Sequence, residues 1–446
     1  MVNSPAELAF PFVSAKPVTA RFDGGDITSD AGMLLLAQAD RKLGLSQAIA
    51  DSIIDRRQQA KVQHPVLDLI RERLYAIAMG YEDANDLDTL ADDPALRVSC
   101  GRTLCAKDRL GSQPTISRLE NQVDSKDLLT AALAIAETTV GQLPAGTKRV
   151  VIDVDASEDP CHGQQELEFF NAYYGQHCYL PLYVHVSAEG DRQRLLASML
   201  RPGRANSKTG LFGLLRRAIR LLRDRFADVE IVLRADGGFG QAEVLSFCEE
   251  QGLPFVLGLP TNQRIKRLAE PFEKRALELA AKEQSAEVER YYAEFDYQAD
   301  TWDRSWRTVE RIEVADGQVN ARFVVTNLSH LTAEDVYDFY CMRGEQENRI
   351  KESKLDLKSG RTSCHRFLAN QFRLLLHVAA YVLMSAVQDA LTGTSLENAQ
   401  PATVRLKLLK LGAQAKESVR RLWLHLSSSY PNRALFQLVY ERLGVT

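Results

Sequence analysis

The chain has 446 residues, too many for one compact core, so two to four domains are expected. Hydrophobic content of 45% and charged content of 26% are ordinary for a soluble globular protein, and a net charge of −4 excludes a uniformly basic nucleic-acid binder while leaving room for local basic surfaces. Seven scattered cysteines without a C-x-x-C pair exclude a disulfide framework or a zinc knuckle and imply a reduced, cytoplasmic protein. No apolar run approaches the ~18–20 residues of a membrane span. No basic-then-apolar leader is evident.

Residues 1 to about 25 read as extended, with a turn-rich hinge at 22–26. Thr28-Ser29-Asp30 offers N-caps to an apolar helix over 31–43. Leu/Ala-rich segments at helical spacing follow at 66–80, 84–91 and 126–140. Between them, residues 111–121 have the form of a capped helix start with Arg118 and Asn121 near its N-terminal end. Such an end can bond phosphates, although an ordinary cap also accounts for it.

The texture changes at 148–157, a β-branched run ending in acids, which reads as a buried strand. Residues 179–187 and 193–200 read as two more strands. A basic loop (Arg201, Arg204, Lys208) leads to an amphipathic helix over 209–226 carrying Arg216, Arg217, Arg220 and Arg223. A strand over 229–235, capped by Asp236-Gly237-Gly238, is followed by a helix over 240–251 and a strand over 254–259. Residues 260–330 break this pattern with a charged helix (267–286) and alternating segments at 288–297 and 305–326, the form of a β-rich insertion. Residues 340–354 then place Tyr340, Arg343, Glu347 and Lys354 at offsets 0, 3, 7 and 14. At roughly 100° per helical residue these four share a stripe of about 60°. An apolar helix over 367–390, a linker over 392–401 and a basic, Leu-rich tail complete the chain.

Phosphodiester cleavage needs divalent ions beside the attacking and leaving oxygens, and carboxylates from separate elements can hold them. Asp155 and Asp236 stand where two buried strands run out into small residues, and Glu347 shares its helix face with two cations and a phenol. Asp153 lies on the same strand face as Asp155, so alternation alone does not choose between them. Asp155 is nearer the strand end. No Gly-rich cofactor loop, G-x-S-x-G elbow or H-E-x-x-H pair points to a metabolic enzyme.

Tyr340, Arg343, Glu347 and Lys354 match, without a gap, the Y-x-x-R-x-x-x-E-x-x-x-x-x-x-K signature of DDE-type insertion-sequence transposases, which the chain resembles. The runs at 23–32, 112–121 and 162–186 resemble the bacterial insertion-sequence thirteen-eighty-like branch. The resemblance implies an α/β fold: a ribonuclease-H-like mixed sheet flanked by helices, interrupted by a β-rich insertion, with an N-terminal helical domain. The implied division is a DNA-end-binding region at 1–145, core at 146–259, insertion at 260–330, core helix at 331–391 and a C-terminal helical tail at 392–446. It implies Asp155, Asp236 and Glu347 as the metal-binding catalytic triad, with Asp153 as the alternative first acid; Asp155-Ala156-Ser157 fits the Asp-x-Ser/Thr form usual at that position. Two Mg²⁺ ions, with Mn²⁺ as substitute, are the implied cofactors.

Tyr340, Arg343 and Lys354 would contact phosphates of the element's end. Lys351, Arg361, Arg204 and Lys208 would grip the duplex, and Lys358 and Arg366 belong to the same basic surfaces. Trp302, Trp306 and Phe323, in the expected insertion, are the candidates for stacking on a flipped base. The implied partners are double-stranded DNA, both element ends and target, and a second copy of the chain. A hydrolytic nuclease of the same fold, or a catalytically silent DNA-binding derivative, is the alternative reading.

Overall fold

The computed structural model describes residues 7–10, 14, 16, 18–283 and 288–444. They divide into two compact units: Leu128–Leu355 with Ser359–Val378, and Met1–Asp127 with Asp356–Lys358 and Ala379–Thr446.

The former unit is organised by one eight-stranded sheet. Helix α1 (Ser125–Gly141) leads to β1 (Arg149–Ala156), β2 (Leu182–Ala188) and β3 (Arg194–Met199), then to α2 (Leu211–Arg225), β4 (Glu230–Ala235), α3 (Ala242–Gln251) and β5 (Phe255–Leu259). Helix α4 (Gln263–Glu283) precedes β6 (Glu289–Tyr297), β7 (Trp306–Ala315) and β8 (Gln318–Thr326). Helices α5 (Ala333–Cys341), α6 (Gly344–Leu355) and α7 (Phe367–Asp389) follow. The order across the sheet is β6-β7-β8-β5-β4-β1-β2-β3. The parallel pairs are β4 with β1 and β4 with β5; the others are antiparallel. Val150, Ile152, Val154, Ile231, Leu233, Phe255 and Leu257 of the parallel strands are buried, as their near-continuous apolar runs require. Helix α2 turns Leu211, Leu215, Ala218, Ile219 and Leu222 to this core and leaves Arg216, Arg217 and Arg220 in solvent. The result, a large mixed sheet flanked by helices, is compatible with a ribonuclease-H-like core.

Three expectations change. The segment expected as an insertion does not stand apart. Its β8 pairs antiparallel with β5, from Val256↔Thr326 to Leu259↔Phe323, so β6–β8 extend the same sheet. An unpaired edge at β5 would leave backbone groups without partners, and the extension satisfies them. The two-residue turn Asp316-Gly317 that joins β7 to β8 has φ of 50° and 70°, the positive pair a tight primed hairpin demands.

Second, residues 340–354 are not one helix. Helix α5, capped by Thr332 Oγ1 accepting from Asp335 N, ends at Cys341, and α6 begins at Gly344. Glycine is a poor helix residue, and the joint falls there. Third, α7 is 23 residues long with hydropathy 1.3, long and apolar enough by composition to cross a membrane, where no such run was expected. Of that apolar window 83% is buried in the protein, which is the pattern of a core helix.

In the other unit, helices Met33–Leu43, Leu45–Asp51, Val66–Met79, Asp86–Leu90, Pro94–Ser99 and Gln113–Gln122 enclose buried polar pairs. Asp40 accepts from Ser46 Oγ at 2.5 Å and Tyr75 Oη at 2.7 Å, and Arg73 lies 3.3 Å from Glu120. The C-terminal segment is not wholly helical: Ala413–Glu417 and Leu422–Leu426 form a hairpin before helix Arg433–Arg442. The first of these strands pairs with Ile27–Thr28, so the two chain ends, expected as separate domains, fold as one unit. A Cβ on Gly32 would lie 2.3 Å from Leu409 Cα, so the run at 23–32 needs glycine there for close packing.

Candidate active site

Strand register brings the acids together. In the parallel pair β1/β4, Arg234 stands opposite Asp153 and Ala235 opposite Val154, so the chain leaving β4 sets Asp236 beside Asp155. Asp153 and Asp155 share a face, as alternation dictates, but their surroundings differ. Asp153 is fully buried and paired: Arg234 Nε donates to it at 2.6 Å and its Nη2 at 2.9 Å, and Gln193 Nε2 donates at 2.6 Å. Arg234 also donates to the Phe339 carbonyl at 2.6 Å, tying the pair to α5. Such a buried charge is already compensated by the guanidinium and amide beside it.

Asp155 faces a different cation. Arg343 Nη1 lies 3.2 Å from Asp155 Oδ2, and Arg343 Nη2 lies 2.7 Å from Glu347 Oε1. One guanidinium, at the joint between α5 and α6, therefore bridges the first and third acids. Burial, then the negative charge of Asp236, pushes the Asp155 carboxyl up to about 6; Arg343 opposes them and Glu347 adds to them. Like charges crowded in a half-dry pocket raise one another in this way. Asp236 accepts from Gly238 N at 2.9 Å and so caps the short turn Gly237–Phe239.

Gly258 on β5 makes this closeness possible. A Cβ there would stand 2.6 Å from Gly237 N and 2.6 Å from the Tyr340 hydroxyl. A glycine inside a buried strand is the usual mark of such an approach, and it is a signal the sequence carries. Tyr340 is half-buried, edge-on to Tyr337 at 5.8 Å, with the Arg343 guanidinium 5.9 Å from its ring. Burial raises its phenol. In front lies an open cavity of about 400 Å³, lined in part by Tyr340, Arg343, Glu347, Arg311 and Arg322. Arg311 and Arg322 are directly opposite one another on β7 and β8. Like charges at such a position repel, and a site for an anion is one arrangement that makes use of them. Neither arginine was among the expected site residues, because their facing positions depend on the β7/β8 register.

The remaining expected residues separate. Lys354 Nζ donates to Ser157 Oγ at 2.9 Å and to the Glu158 carbonyl at 2.6 Å, pinning α6 to the loop that follows Asp155. Lys351, Arg361 and Arg366 are exposed. Arg204 is exposed with its guanidinium 5.0 Å from the Phe169 ring, and Lys208 pairs with Glu243 at 2.6 Å. Arg201 is buried and donates to the carbonyls of Leu180, Asn206 and Ser207, so it is no part of a basic surface.

Trp302, Trp306 and Phe323 are core residues, 5%, 6% and 4% exposed. Trp306 packs on Phe255 at 5.2 Å and Trp302 on Tyr297 at 5.2 Å. With the rings so covered, no face is presented to a base. In the other unit, Arg118 lines a cleft of about 240 Å³ with Arg57, Lys61 and His64.

The donor set suits a divalent ion of the magnesium type. Asp155, Asp236 and Glu347 are hard oxygen donors from three elements, and the raised Asp155 carboxyl marks a place where added positive charge is favourable. As arranged with Arg343 between them, no three acid, imidazole or thiol groups among the described residues are disposed to hold a metal. A family model described as Transposase DDE domain group 1 matches residues 10–445. No curated protein matches the chain.

Proposed function

This chain belongs to the DDE transposase family, and from that premise we propose that it binds the terminal inverted repeats of an insertion sequence, cuts the DNA ends and joins the freed 3′-OH ends to target DNA. The observation that carries the reading is the Arg343 bridge between Asp155 and Glu347, with Asp236 bearing on the same carboxyl. We assign the chain to the thirteen-eighty-like branch with the Y-R-E-K signature. Asp155, Asp236 and Glu347 would hold two Mg²⁺ ions, or Mn²⁺ in their place. When bound, such ions activate an attacking oxygen and stabilise a leaving one.

The chain's own residues account for the rest. Arg343 already occupies the space between the acids, within reach of a phosphate lying against them, and its planar fork suits two phosphate oxygens. Arg311 and Arg322 meet the strand from the opposite wall of the cavity. Tyr340 offers a hydroxyl donor from the protein side. Lys354 holds the loop after Asp155 in register with α6, and Asp153 with Arg234 holds α5, so both act by positioning. Lys351, Arg361 and Arg204 add phosphate contacts that fix register without reading sequence. The cleft of Arg57, Lys61 and Arg118 is the contact we assign to the element's end. Two ends imply two copies of the chain on DNA.

The test is a duplex carrying the inverted repeat that flanks the reading frame, incubated with Mg²⁺ or Mn²⁺. Cutting and a strand-transfer product are expected from the parent, and neither from Asp236→Ala. A parent that leaves the duplex intact, or an Asp236→Ala protein that cuts as well as the parent, would overturn the reading. Cutting without a joined product would instead favour a hydrolytic nuclease.

A further inference from the structure

Four residues after Asp155 the chain enters a small sheet of three strands, ordered Asp159–Pro160, Gln176–Tyr179, Phe169–Asn171. Phe169–Asn171 and the central strand Gln176–Tyr179 form a hairpin whose side chains are unusually aromatic: Phe169, Phe170, Tyr173 and Tyr174. Tyr173 at its tip is 88% exposed and Phe170 is 48% exposed. Single exposed rings are commonplace on protein surfaces and need no explanation. This group differs in three respects.

Its backbone is held rigidly. Asn171 Oδ1 accepts from Tyr173 N at 3.0 Å and Tyr174 N at 3.3 Å, Gly175 N donates to the Asn171 carbonyl at 2.9 Å, and Gly175 takes φ of 67° to close the turn. From behind, Asn171 Nδ2 donates to the Gly203 carbonyl at 2.9 Å. A Cβ on Gly203 would fall 2.2 Å from the Cys178 carbonyl oxygen, so that loop packs directly on the hairpin. The rings also lock one another: Tyr173 and Tyr174 meet edge-on at 4.9 Å, and Phe170 meets His177 at 5.7 Å. Little freedom remains to be lost on binding.

Its charge is placed for a nucleotide. The Arg204 guanidinium lies 5.0 Å from the Phe169 ring, next to Gly203, whose carbonyl accepts from Asn171 Nδ2. An aromatic face beside an exposed arginine is the pairing that single-stranded nucleic acid takes, a base on the ring and a phosphate on the cation.

Its position adjoins the acids. Asp159 pairs with Tyr179 and Pro160 with Cys178, so the hairpin is hydrogen-bonded to the chain four and five residues beyond Asp155. Lys354 bonds Ser157 and Glu158, the residues between Asp155 and the small sheet. A strand whose phosphate met Asp155 would therefore run past this hairpin.

We propose that the hairpin at 169–177 is a stacking platform on which Tyr173 takes the face of an unpaired DNA base while Arg204 takes a neighbouring phosphate. The inference rests on the transposase reading, since only a nucleic-acid substrate brings bases to these acids. It also fills the role left open by Trp302, Trp306 and Phe323, whose rings are covered. A base inside a duplex has no free face, so the platform engages a strand only where pairing has been opened.

The experiment measures anisotropy of a fluorescein-labelled oligothymidylate of about 16 nucleotides and of a random-sequence duplex, without divalent ions. Tyr173→Ala is expected to weaken oligothymidylate binding about tenfold and to change duplex binding by less than about twofold. Tyr173→Phe is expected to retain the parent's affinity. In Tyr173→Trp the added indole emission is expected to fall when oligothymidylate is added, a signal that loss of folding does not mimic. If the parent cuts its element-end duplex but Tyr173→Ala binds oligothymidylate as the parent does, or the indole emission is unmoved, the platform is overturned and the transposase reading stands. A parent that binds neither probe and cuts nothing overturns both.

Discussion

Two places in the same unit hold carboxyl groups close together, and they meet the problem in opposite ways. At Asp155, Asp236 and Glu347 a guanidinium bridges two of the acids and an open cavity lies in front. At Glu310, buried on β7, the neighbour is another acid, Glu273 on α4, which shares a hydrogen bond with it. Burial and then the Glu273 charge push the Glu310 carboxyl up to about 8, so this pair shares a proton. Asp155 reaches about 6 by the same two kinds of cause, with Arg343 pulling the other way. A raised carboxyl therefore does not mark a reactive site by itself. Access and a counter-charge separate the two, and the following expectations test that separation.

The largest effect should come from Glu347→Gln. Loss of one acid from the set should lower end cleavage by more than about a thousandfold, as removal of a group stabilising charge in the transition state does, while thermal unfolding stays near the parent's. Glu310→Gln should cut at the parent's rate. Equal cleavage loss in both would erase the distinction drawn above.

Asp153→Asn comes next and should act through stability. It leaves Arg234 buried with a neutral partner, and breaking a buried pair from one side costs about 3–5 kcal/mol. Chemical denaturation should show that loss. Because Arg234 also holds the Phe339 carbonyl, cleavage should fall with it, and Asp153→Glu should not restore either.

The residues concerned show what was open to a reader of the sequence and what was not. Buried strands at 149–156, 230–235 and 255–259 announce themselves by unbroken β-branched runs, and their order places two acids at strand ends. Asp155 was favoured over Asp153 for its place nearer the strand end; that Asp153 is enclosed by Arg234 and Gln193 follows from pairing register, which is non-local. The stripe at Tyr340, Arg343 and Glu347 was legible as residue types, yet the helix breaks at the arginine, and that break is what turns its side chain between two acids. The β6–β8 extension looked like an insertion because alternation reveals strands but not which edge they join. Trp306 was misplaced for the same reason, since once β7 joins the sheet its inward face becomes core, and Trp302, in the connection before it, is covered against Tyr297 at the end of β6.

Glu310→Gln has a further consequence, smaller and dependent on pH. The folded-state value near 8 stands above the ordinary 4.5, so folding favours the protonated form. No penalty exists below pH 4.5, where both states are protonated; it grows as pH rises from there to about 8 and is constant above. At about 1.4 kcal/mol per unit, a rise of that size puts an upper bound of about 5 kcal/mol on the cost. Melting curves should therefore nearly coincide at pH 5 and diverge at pH 9, with Glu310→Gln the more stable. Coincident curves at both values would mean that water or a cation reaches Glu310 after all.

The smallest effect asked for is at Arg322. It lies across from Arg311, which has Glu313 at 3.4 Å and the Tyr337 ring at 4.6 Å to steady it. Directly opposed like charges cost a few tenths of a kcal/mol, up to about 1. Arg322→Ala should relieve that repulsion and leave stability equal to or slightly above the parent's. Duplex binding should weaken severalfold and lose part of its salt dependence, the mark of one phosphate contact removed. Gain in stability together with loss of binding is the pairing to look for, because a residue kept for packing would lose both. If Arg322→Ala binds the duplex with the parent's affinity and salt slope, Arg322 takes no part in holding DNA, and within the cavity the work falls to Arg343.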